Sequence, residues 1–342
     1  MFIPQKLLVI RLSSIGDVLL TTPLIRVLKK KFPSCRIDFV IKKQFQDIIA
    51  YHPSLTKIYT FDKKEGRQTL KKIKAQLKEQ HYDLIVDIHR NFRSIYLRTG
   101  LSAKKTATFK KYILNRWLLV NFNINRYRRI IPVYQRYIDS LQEFDVSYDN
   151  AGLDIYIPAE ITQKIAAQWH DTLNNYQLII ALAPGASFLT KRWHTEGFIN
   201  VTKHLVQKFK AAVVLFGDGQ DNLTTTEIEA SVKNNIFNVA GKLSLLETAA
   251  LMNYCNLVVT NDTGLMHIAS ALKKKVVAIF GSTTEELGFF PCAANSIVVQ
   301  NNNINCRPCS HVGRHKCPKK HFKCMTDIEA QQVIEAVESM LV

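Results

Sequence analysis

Arg11-Leu12-Ser13-Ser14-Ile15-Gly16-Asp17-Val18 sets one carboxylate, Asp17, between an apolar run and a helical pattern, with Pro23 six residues beyond it. A carboxylate there can take a proton from a hydroxyl, and it can equally cap the helix that follows. Both readings stay open locally, since Ser13 and Ser14 are also good helix-start residues and Gly16 permits a tight turn. Two later stretches have the same layout. Leu178 to Ala183 runs into Pro184-Gly185-Ala186-Ser187-Phe188-Leu189-Thr190-Lys191-Arg192-Trp193, and Leu257 to Thr260 runs into Asn261-Asp262-Thr263-Gly264-Leu265-Met266-His267. Amides at a helix start favour an anion, usually phosphate, and Lys191 adds a cation. Neither loop has the spacing of a Walker loop or of the dinucleotide glycine fingerprint. The chemistry indicated is that of a phosphate-bearing ligand outside the ordinary ATP and NAD sites.

The elements that must carry these turns are legible as apolar runs. Lys6 to Leu12, Arg36 to Ile41, Lys57 to Phe61 and Asp83 to Ile88 read as strands in the first half; Gln177 to Ala183, Ala211 to Phe216, Ile236 to Val239, Leu257 to Thr260 and Val276 to Phe280 do so in the second. Helical spacing covers Val18 to Leu28 and begins again near Thr195. Strands alternating with helices in both halves imply an α/β protein with two doubly wound parallel sheets, whose ligands sit at the carboxyl ends of the strands. A length of 342 residues suits two such domains, and Asp145 to Gly152 is the polar, turn-rich linker between them. No apolar stretch is long enough to span a bilayer, and the chain enters its first strand without a signal-peptide core, so a soluble cytoplasmic protein is expected.

With Ser13-Ser14-Ile15-Gly16-Asp17, then Pro184-Gly185 with Lys191-Arg192-Trp193, then Asn261 to His267, the chain resembles family 9 glycosyltransferases, near the ADP-heptose:lipopolysaccharide heptosyltransferases. The likeness runs from about Leu7 to the final helix, and Cys306-Arg307-Pro308-Cys309 resembles the second heptosyltransferase of the core pathway more than the first. It implies the GT-B fold: two facing Rossmann-like domains with a cleft between them. Residues 1–152 would bind the acceptor and 153–327 the nucleotide sugar, with a Cys-rich segment at 306–324. Residues 328–342 would form a terminal helix that either packs back across the domains or simply ends the second one. The implied reaction transfers a heptose from ADP-heptose to the lipid A-Kdo inner core of lipopolysaccharide, with inversion, without a metal and without a cofactor.

Residue by residue, Asp17 matches the family's base and Lys191 its phosphate-contacting lysine. Ser187 and the amides of Thr263, Gly264 and Leu265 would hold the diphosphate, and Asp262 would bond hydroxyls of the donor sugar. His267 would either touch the donor or pack in the core. Asp218, in Gly217-Asp218-Gly219-Gln220, would either grip a ribose hydroxyl or form a plain turn. Ser14, Gly16, Arg90 and Arg93 are the candidate acceptor contacts.

A net charge of +18 calls for an anionic partner. Between Ile88 and Ile138 there are twelve Lys or Arg residues, no Asp or Glu, and many aromatics, a composition suited to single-stranded nucleic acid or to anionic lipid headgroups. The resemblance selects the second: an enzyme peripheral on the inner face of the cytoplasmic membrane, monomeric, acting on a lipid-held acceptor. A nucleic-acid-binding protein would explain the charge but not three phosphate-type turns, and a nicotinamide oxidoreductase would need the absent glycine fingerprint. Another nucleotide sugar or another glycan acceptor is the nearer alternative. Cys306, Cys309, Cys317 and Cys324, interleaved with His311, His315 and His321, either hold a structural zinc or pack a hairpin as reduced thiols.

Overall fold

The structure is a computed structural model that describes residues 2–62, 64–292 and 295–341; Met1 and Val342, the ends of the outermost segments anticipated above, lie outside them. The chain divides into two compact units, the first comprising Met1–Lys111 and Ile131–Tyr156, the second Tyr112–Ile130 and Ile157–Val342.

The first unit contains β1 (Lys6–Ile10), α1 (Ile15–Leu19), α2 (Thr22–Lys31), β2 (Arg36–Lys42), β3 (Lys57–Phe61), α3 (Gly66–Lys78), β4 (Tyr82–Asp87), α4 (Phe92–Arg98) and β5 (Ala103–Thr108). Its sheet has the order β3-β2-β1-β4-β5 with every pairing parallel. β1 is central, so Leu7, Leu8, Val9 and Ile10 are fully buried, as an all-apolar strand covered on both faces must be. β5, Ala-Lys-Lys-Thr-Ala-Thr, was not visible as a strand because its residues are polar. It lies at the sheet edge, where exposed lysines are tolerated and discourage pairing with another chain.

The helix expected over Val18 to Leu28 is two helices. Pro23 has no amide to donate to the Leu19 carbonyl, and the Thr22 hydroxyl donates to that carbonyl instead at 2.8 Å. The break ends α1 just past Asp17 and starts α2 afresh. Arg26 on α2 then reaches the linker: its guanidinium donates to both carboxylate oxygens of Asp149 at 2.8 Å and to the Gly152 carbonyl at 2.9 Å, and it also pairs with Asp154. These bonds hold the guanidinium above its ordinary pKa, chiefly through Asp149 and against the cost of burial. Asp154 is thereby bound to α2 within the first unit, which runs to Tyr156 before the second unit resumes at Ile157.

Between the two parts of the first unit, α5 (Ile113–Phe122) belongs to the second, and α6 (Val133–Asp139) returns to the first. The second unit continues with α7 (Ala159–Leu173), β6 (Ile179–Ala183), α8 (Thr195–Phe209), β7 (Ala212–Leu215), α9 (Asn222–Ala230), β8 (Ile236–Asn238), α10 (Leu245–Met252), β9 (Leu257–Asn261), α11 (Gly264–Ala271), β10 (Lys275–Phe280), β11 (Ser296–Gln300), α12 (Lys323–Thr326) and α13 (Ala330–Leu341). Its parallel sheet has the order β11-β10-β9-β6-β7-β8, with β6 and β9, the two strands that lead into phosphate-type turns, side by side. The edge strand β11 was not anticipated. α13 packs on α8, β10 and β11, burying Val333 and Val337 in the core of the second unit.

Candidate active site

In the first unit the site forms where β1 and β4 end next to each other, with Ile10 paired to Asp87. Asp17 does cap: its Oδ2 accepts from the Ser14 amide at 3.2 Å and from the Ser14 hydroxyl at 3.1 Å. Its other oxygen lies 2.7 Å from Nη2 of Arg11. Arg11 is itself fixed by donating Nε to the Ser13 carbonyl at 2.8 Å and Nη1 to the Ile88 carbonyl at 2.7 Å. Burial works against the charge of Arg11, but Asp17, Tyr137 and Asp87 outweigh it and hold its pKa above the ordinary value. The carboxylate is therefore both a helix cap and one half of an anchored ion pair, and its side chain is 20 % exposed. Gly16 is buried inside α1, where it serves the turn.

Asp87 was not foreseen, although it ends an apolar strand run just as the Asp17 motif follows one. It is fully buried and accepts from the amides of His89 and Arg90 and from the Ser94 hydroxyl, at 2.8–3.1 Å, with Arg98 at 3.2 Å. It thus shapes the loop that carries Arg90 and Arg93. Burial, together with Arg11, Lys111 and Lys42, pushes the His89 imidazole down to about 3, so it stays neutral beside this cationic cluster. Arg90 donates Nη1 to the Phe109 carbonyl at 2.7 Å, which ties it to the protein. Arg93 is exposed and lines a cavity of about 770 Å³ with Arg67, Lys71, Leu70, Phe92 and Tyr96. The basic stretch supplies no acids of its own, but Lys104 pairs with Asp83 at 2.7 Å and Lys105 with Glu143 at 3.1 Å.

In the second unit Lys191, Asp262 and Thr283 meet at the ends of β6, β9 and β10. Lys191 Nζ lies 2.7 Å from Asp262 Oδ2, which also accepts the Thr283 hydroxyl at 2.7 Å. The loop bearing Lys191 is clipped to β9 by Asn261, whose side chain donates to the Pro184 carbonyl at 2.7 Å and accepts from the Trp193 amide at 3.2 Å. Thr263 caps α11 by accepting from the Leu265 amide at 3.2 Å, so that helix starts two residues after Asp262. Ser187 is exposed on the loop, and His267 is buried within α11 at 3 % exposure.

Asp218 is exposed and accepts from the Gln220 amide at 2.7 Å, a turn-forming role. The buried carboxylate of that turn is Asp221, whose pKa burial raises and which lies 3.3 Å from Arg192. A Cβ on Gly185 would sit 2.0 Å from Asp221, so only glycine lets the two turns close on each other.

The Cys-rich segment carries four thiols, the donors a structural zinc would use. Among the described residues no group of three or more His, Cys, Asp or Glu side chains is arranged to hold a metal ion, and Cys306, Cys309, Cys317 and Cys324 are free thiols. Cys324 is buried in the core, and Cys306 contacts His321 at 3.7 Å. The segment instead covers the Lys191 loop. Arg314 exchanges bonds with Thr190 at 2.8 and 3.1 Å, the rings of Phe188 and His315 lie 5.1 Å apart, and burial with Arg116 and Lys191 lowers the pKa of His311. Arg307 donates to the carbonyls of Gly281, Asn301 and Thr283, which holds the turn that presents Thr283. The Gly281-Ser282-Thr283-Thr284 turn after β10 was a legible signal of the same kind as the other three.

A family model described as glycosyltransferase family 9 (heptosyltransferase) matches residues 70–320. The chain is 28% identical to lipooligosaccharide heptosyltransferase 2 of Haemophilus influenzae, over 82% of this chain and 85% of that protein. Among solved structures, a family 9 glycosyltransferase from Veillonella parvula superposes with a TM-score of 0.81 at 25% identity, covering 98% of this chain and 97% of the other. The E. coli ADP-heptose lipopolysaccharide heptosyltransferase II superposes with a TM-score of 0.71 at 22% identity, covering 98% of each chain. The fold is that of these enzymes, GT-B, with two parallel α/β sheets in one chain.

Proposed function

The chain belongs to glycosyltransferase family 9, and from that premise we propose that it transfers a heptose from ADP-heptose to the inner core of lipopolysaccharide, on a lipid A-Kdo acceptor, with inversion and without a metal. The observation that carries this reading is the Lys191–Asp262 pair at the ends of β6 and β9, beside the amides that open α11. A diphosphate needs a cation and free amides; a sugar needs an acceptor for its hydroxyls. Lys191, the amides of Thr263 and Gly264, and the carboxylate of Asp262 supply these on two neighbouring loops, the Leu265 amide being taken by the Thr263 hydroxyl.

In the proposed reaction the acceptor hydroxyl gives its proton to Asp17 as its oxygen bonds to the anomeric carbon. The bond from that carbon to the diphosphate oxygen breaks, and its electron pair leaves with ADP. Lys191 and the α11 amides meet the negative charge that develops on the departing phosphate. Attack opposite the leaving group inverts the anomeric carbon. The Arg11 contact holds the Asp17 carboxylate in place for that proton transfer.

The relatives' names support ADP-heptose as donor and a lipopolysaccharide core as acceptor. The net charge and the basic stretch support a phosphate-rich acceptor, which we place at the inner face of the cytoplasmic membrane, approached by a monomeric peripheral enzyme. Arg93, with Arg67 and Lys71, forms a cationic group on the acceptor side that is open to solvent. Among the described residues no helix is long and apolar enough to cross a membrane.

The test is a panel of nucleotide sugars assayed by protection against thermal unfolding, followed by transfer to a lipid A-Kdo acceptor. ADP-heptose at a hundredfold excess over its Kd stabilises by about 2.7 kcal/mol. Preferential protection by a uridine or guanosine sugar would replace the donor assignment while keeping the transferase.

A further inference from the structure

We infer that α5 and the arginine-rich turn after it form an interfacial docking element, the helix lying in the plane of an anionic lipid leaflet with its apolar side chains among the acyl chains. This rests on the peripheral-membrane reading and assigns the element responsible.

The helix is Ile-Leu-Asn-Arg-Trp-Leu-Leu-Val-Asn-Phe, and its apolar side is turned outward. Ile113 and Leu114 are 60 % exposed, Phe122 58 % and Trp117 51 %, whereas Leu119 is the one buried residue of the helix. Ile113, Leu114 and Trp117 share a face at one-turn spacing, and the Trp117 and Phe122 rings stack edge-on at 5.0 Å. Ile124 and Ile130 extend the exposed apolar surface past the helix. A cluster of large aliphatic and aromatic side chains left in water on a single element marks an interaction surface.

The neighbouring charges identify the partner. Arg126, Arg128 and Arg129 are exposed beside this surface, Arg116 lies on the helix, and none of the four is in an ion pair among the described residues. The turn is built: Asn115 donates to the Arg126 carbonyl at 3.1 Å, Asn125 accepts from the Tyr127 amide at 2.9 Å and donates to Glu286 at 3.0 Å. Apolar residues rimmed by arginines, with Trp among them, are the composition of a surface-lying helix on anionic lipid. Ten residues span about 15 Å, half of a hydrocarbon core, so the helix can lie in a leaflet but not cross it. A second copy fits less well, because a two-fold contact through this face would set each arginine cluster against its own image.

The experiment uses the full chain and vesicles of phosphatidylethanolamine with or without phosphatidylglycerol, some carrying brominated acyl chains. Binding to the phosphatidylglycerol vesicles is expected, with bromine quenching that disappears in Trp117→Phe, since Trp169 and Trp193 are not on this element. Leu114→Ser with Trp117→Ser should weaken vesicle partitioning by about tenfold or more for each large side chain removed. Protection by ADP-heptose, unchanged in the double variant, verifies its fold. Arg126→Glu, Arg128→Glu and Arg129→Glu together should abolish the preference for phosphatidylglycerol. If the wild type ignores both vesicle types, the peripheral-membrane reading fails. If it binds but Trp117 is not quenched and the double variant binds equally well, that reading stands and α5 is not the docking element. A fall in solution mass from dimer to monomer in the double variant, with vesicle binding unchanged, assigns the face to a second copy and overturns the inference.

Discussion

Lys191 Nζ lies 2.7 Å from Asp262 Oδ2, and the Thr283 hydroxyl donates to that same oxygen at 2.7 Å. Asp262 is 6 % exposed, so the pair is largely withdrawn from water and each charge depends on the other. In the proposed reaction a phosphate arriving at Lys191 would take over a charge that Asp262 otherwise neutralises, freeing the carboxylate for a sugar hydroxyl. The two residues are therefore expected to respond differently to removal.

Lys191→Ala should weaken ADP-heptose binding and slow transfer together, the rate by about a hundredfold, because the same cation meets the phosphates before and during bond breaking. Asp262→Asn should leave ADP affinity equal or tighter while turnover falls. Calorimetric titration with ADP beside steady-state rates separates the two. An equal loss of ADP affinity in both variants would mean that the pair is purely structural.

Asp17→Asn should preserve protection by the donor and lower turnover by about a hundredfold or more, the lower range for removal of a general base. The asparagine can still accept from the Ser14 amide, so α1 keeps its cap. Arg11→Gln removes the 2.7 Å contact that positions the carboxylate while leaving Asp17 itself in place, and should lower turnover with donor protection preserved. Donor binding lost in step with turnover would return Asp17 to a capping role.

Stability of the first unit should rise with pH between about 4 and 6.5. Burial, and then Arg26, push buried His52 down from its ordinary 6.5 to about 4. Between those values the unfolded chain binds the proton and the folded one does not, so the stabilisation is complete above 6.5 and is lost as pH falls toward 4. The full window is worth on the order of 3 kcal/mol. His89, pushed down to about 3, acts in the same direction. His52→Phe keeps a ring against Tyr156, where the present rings lie 4.9 Å apart, and should flatten urea midpoints measured across this range. An unchanged slope would exclude His52 as its source.

If Lys191 and the α11 amides carry the charge on the leaving diphosphate as proposed, transfer should persist in excess EDTA and without added divalent ions. Strict dependence on magnesium or manganese, restored by titration after chelation, would remove this mechanism.

Gly185→Ala would place a methyl group 2.0 Å from the buried Asp221 carboxylate, which accepts from the Asp218 amide and pairs with Arg192. A loss of about 1–3 kcal/mol in unfolding free energy is expected, accompanied by weaker ADP binding. Asp221→Ala in the same chain should recover part of the stability. No recovery would place the strain elsewhere.

Much of this arrangement was present in local pattern. Apolar runs located nine of the eleven strands among the described residues, and small-residue turns after Leu12, Ala183 and Thr260 located the loops that carry Asp17, Lys191 and Asp262, because strand and helix periods and turn-forming residues act over a few positions. Pro23 even contained the break between α1 and α2, through the one amide it lacks. The polar edge strand β5 left no such trace, since its place depends on pairing with β4 and not on burying a face. Partner choice was equally out of reach. That Asp17 meets Arg11, that Asp221 fits beneath Gly185, and that Arg307 fastens the Thr283 turn all follow from which strands become neighbours and how closely their loops pack. Those contacts join positions up to tens of residues or more apart, where sequence spacing carries no geometric information and only the closed sheet sets which charges can touch.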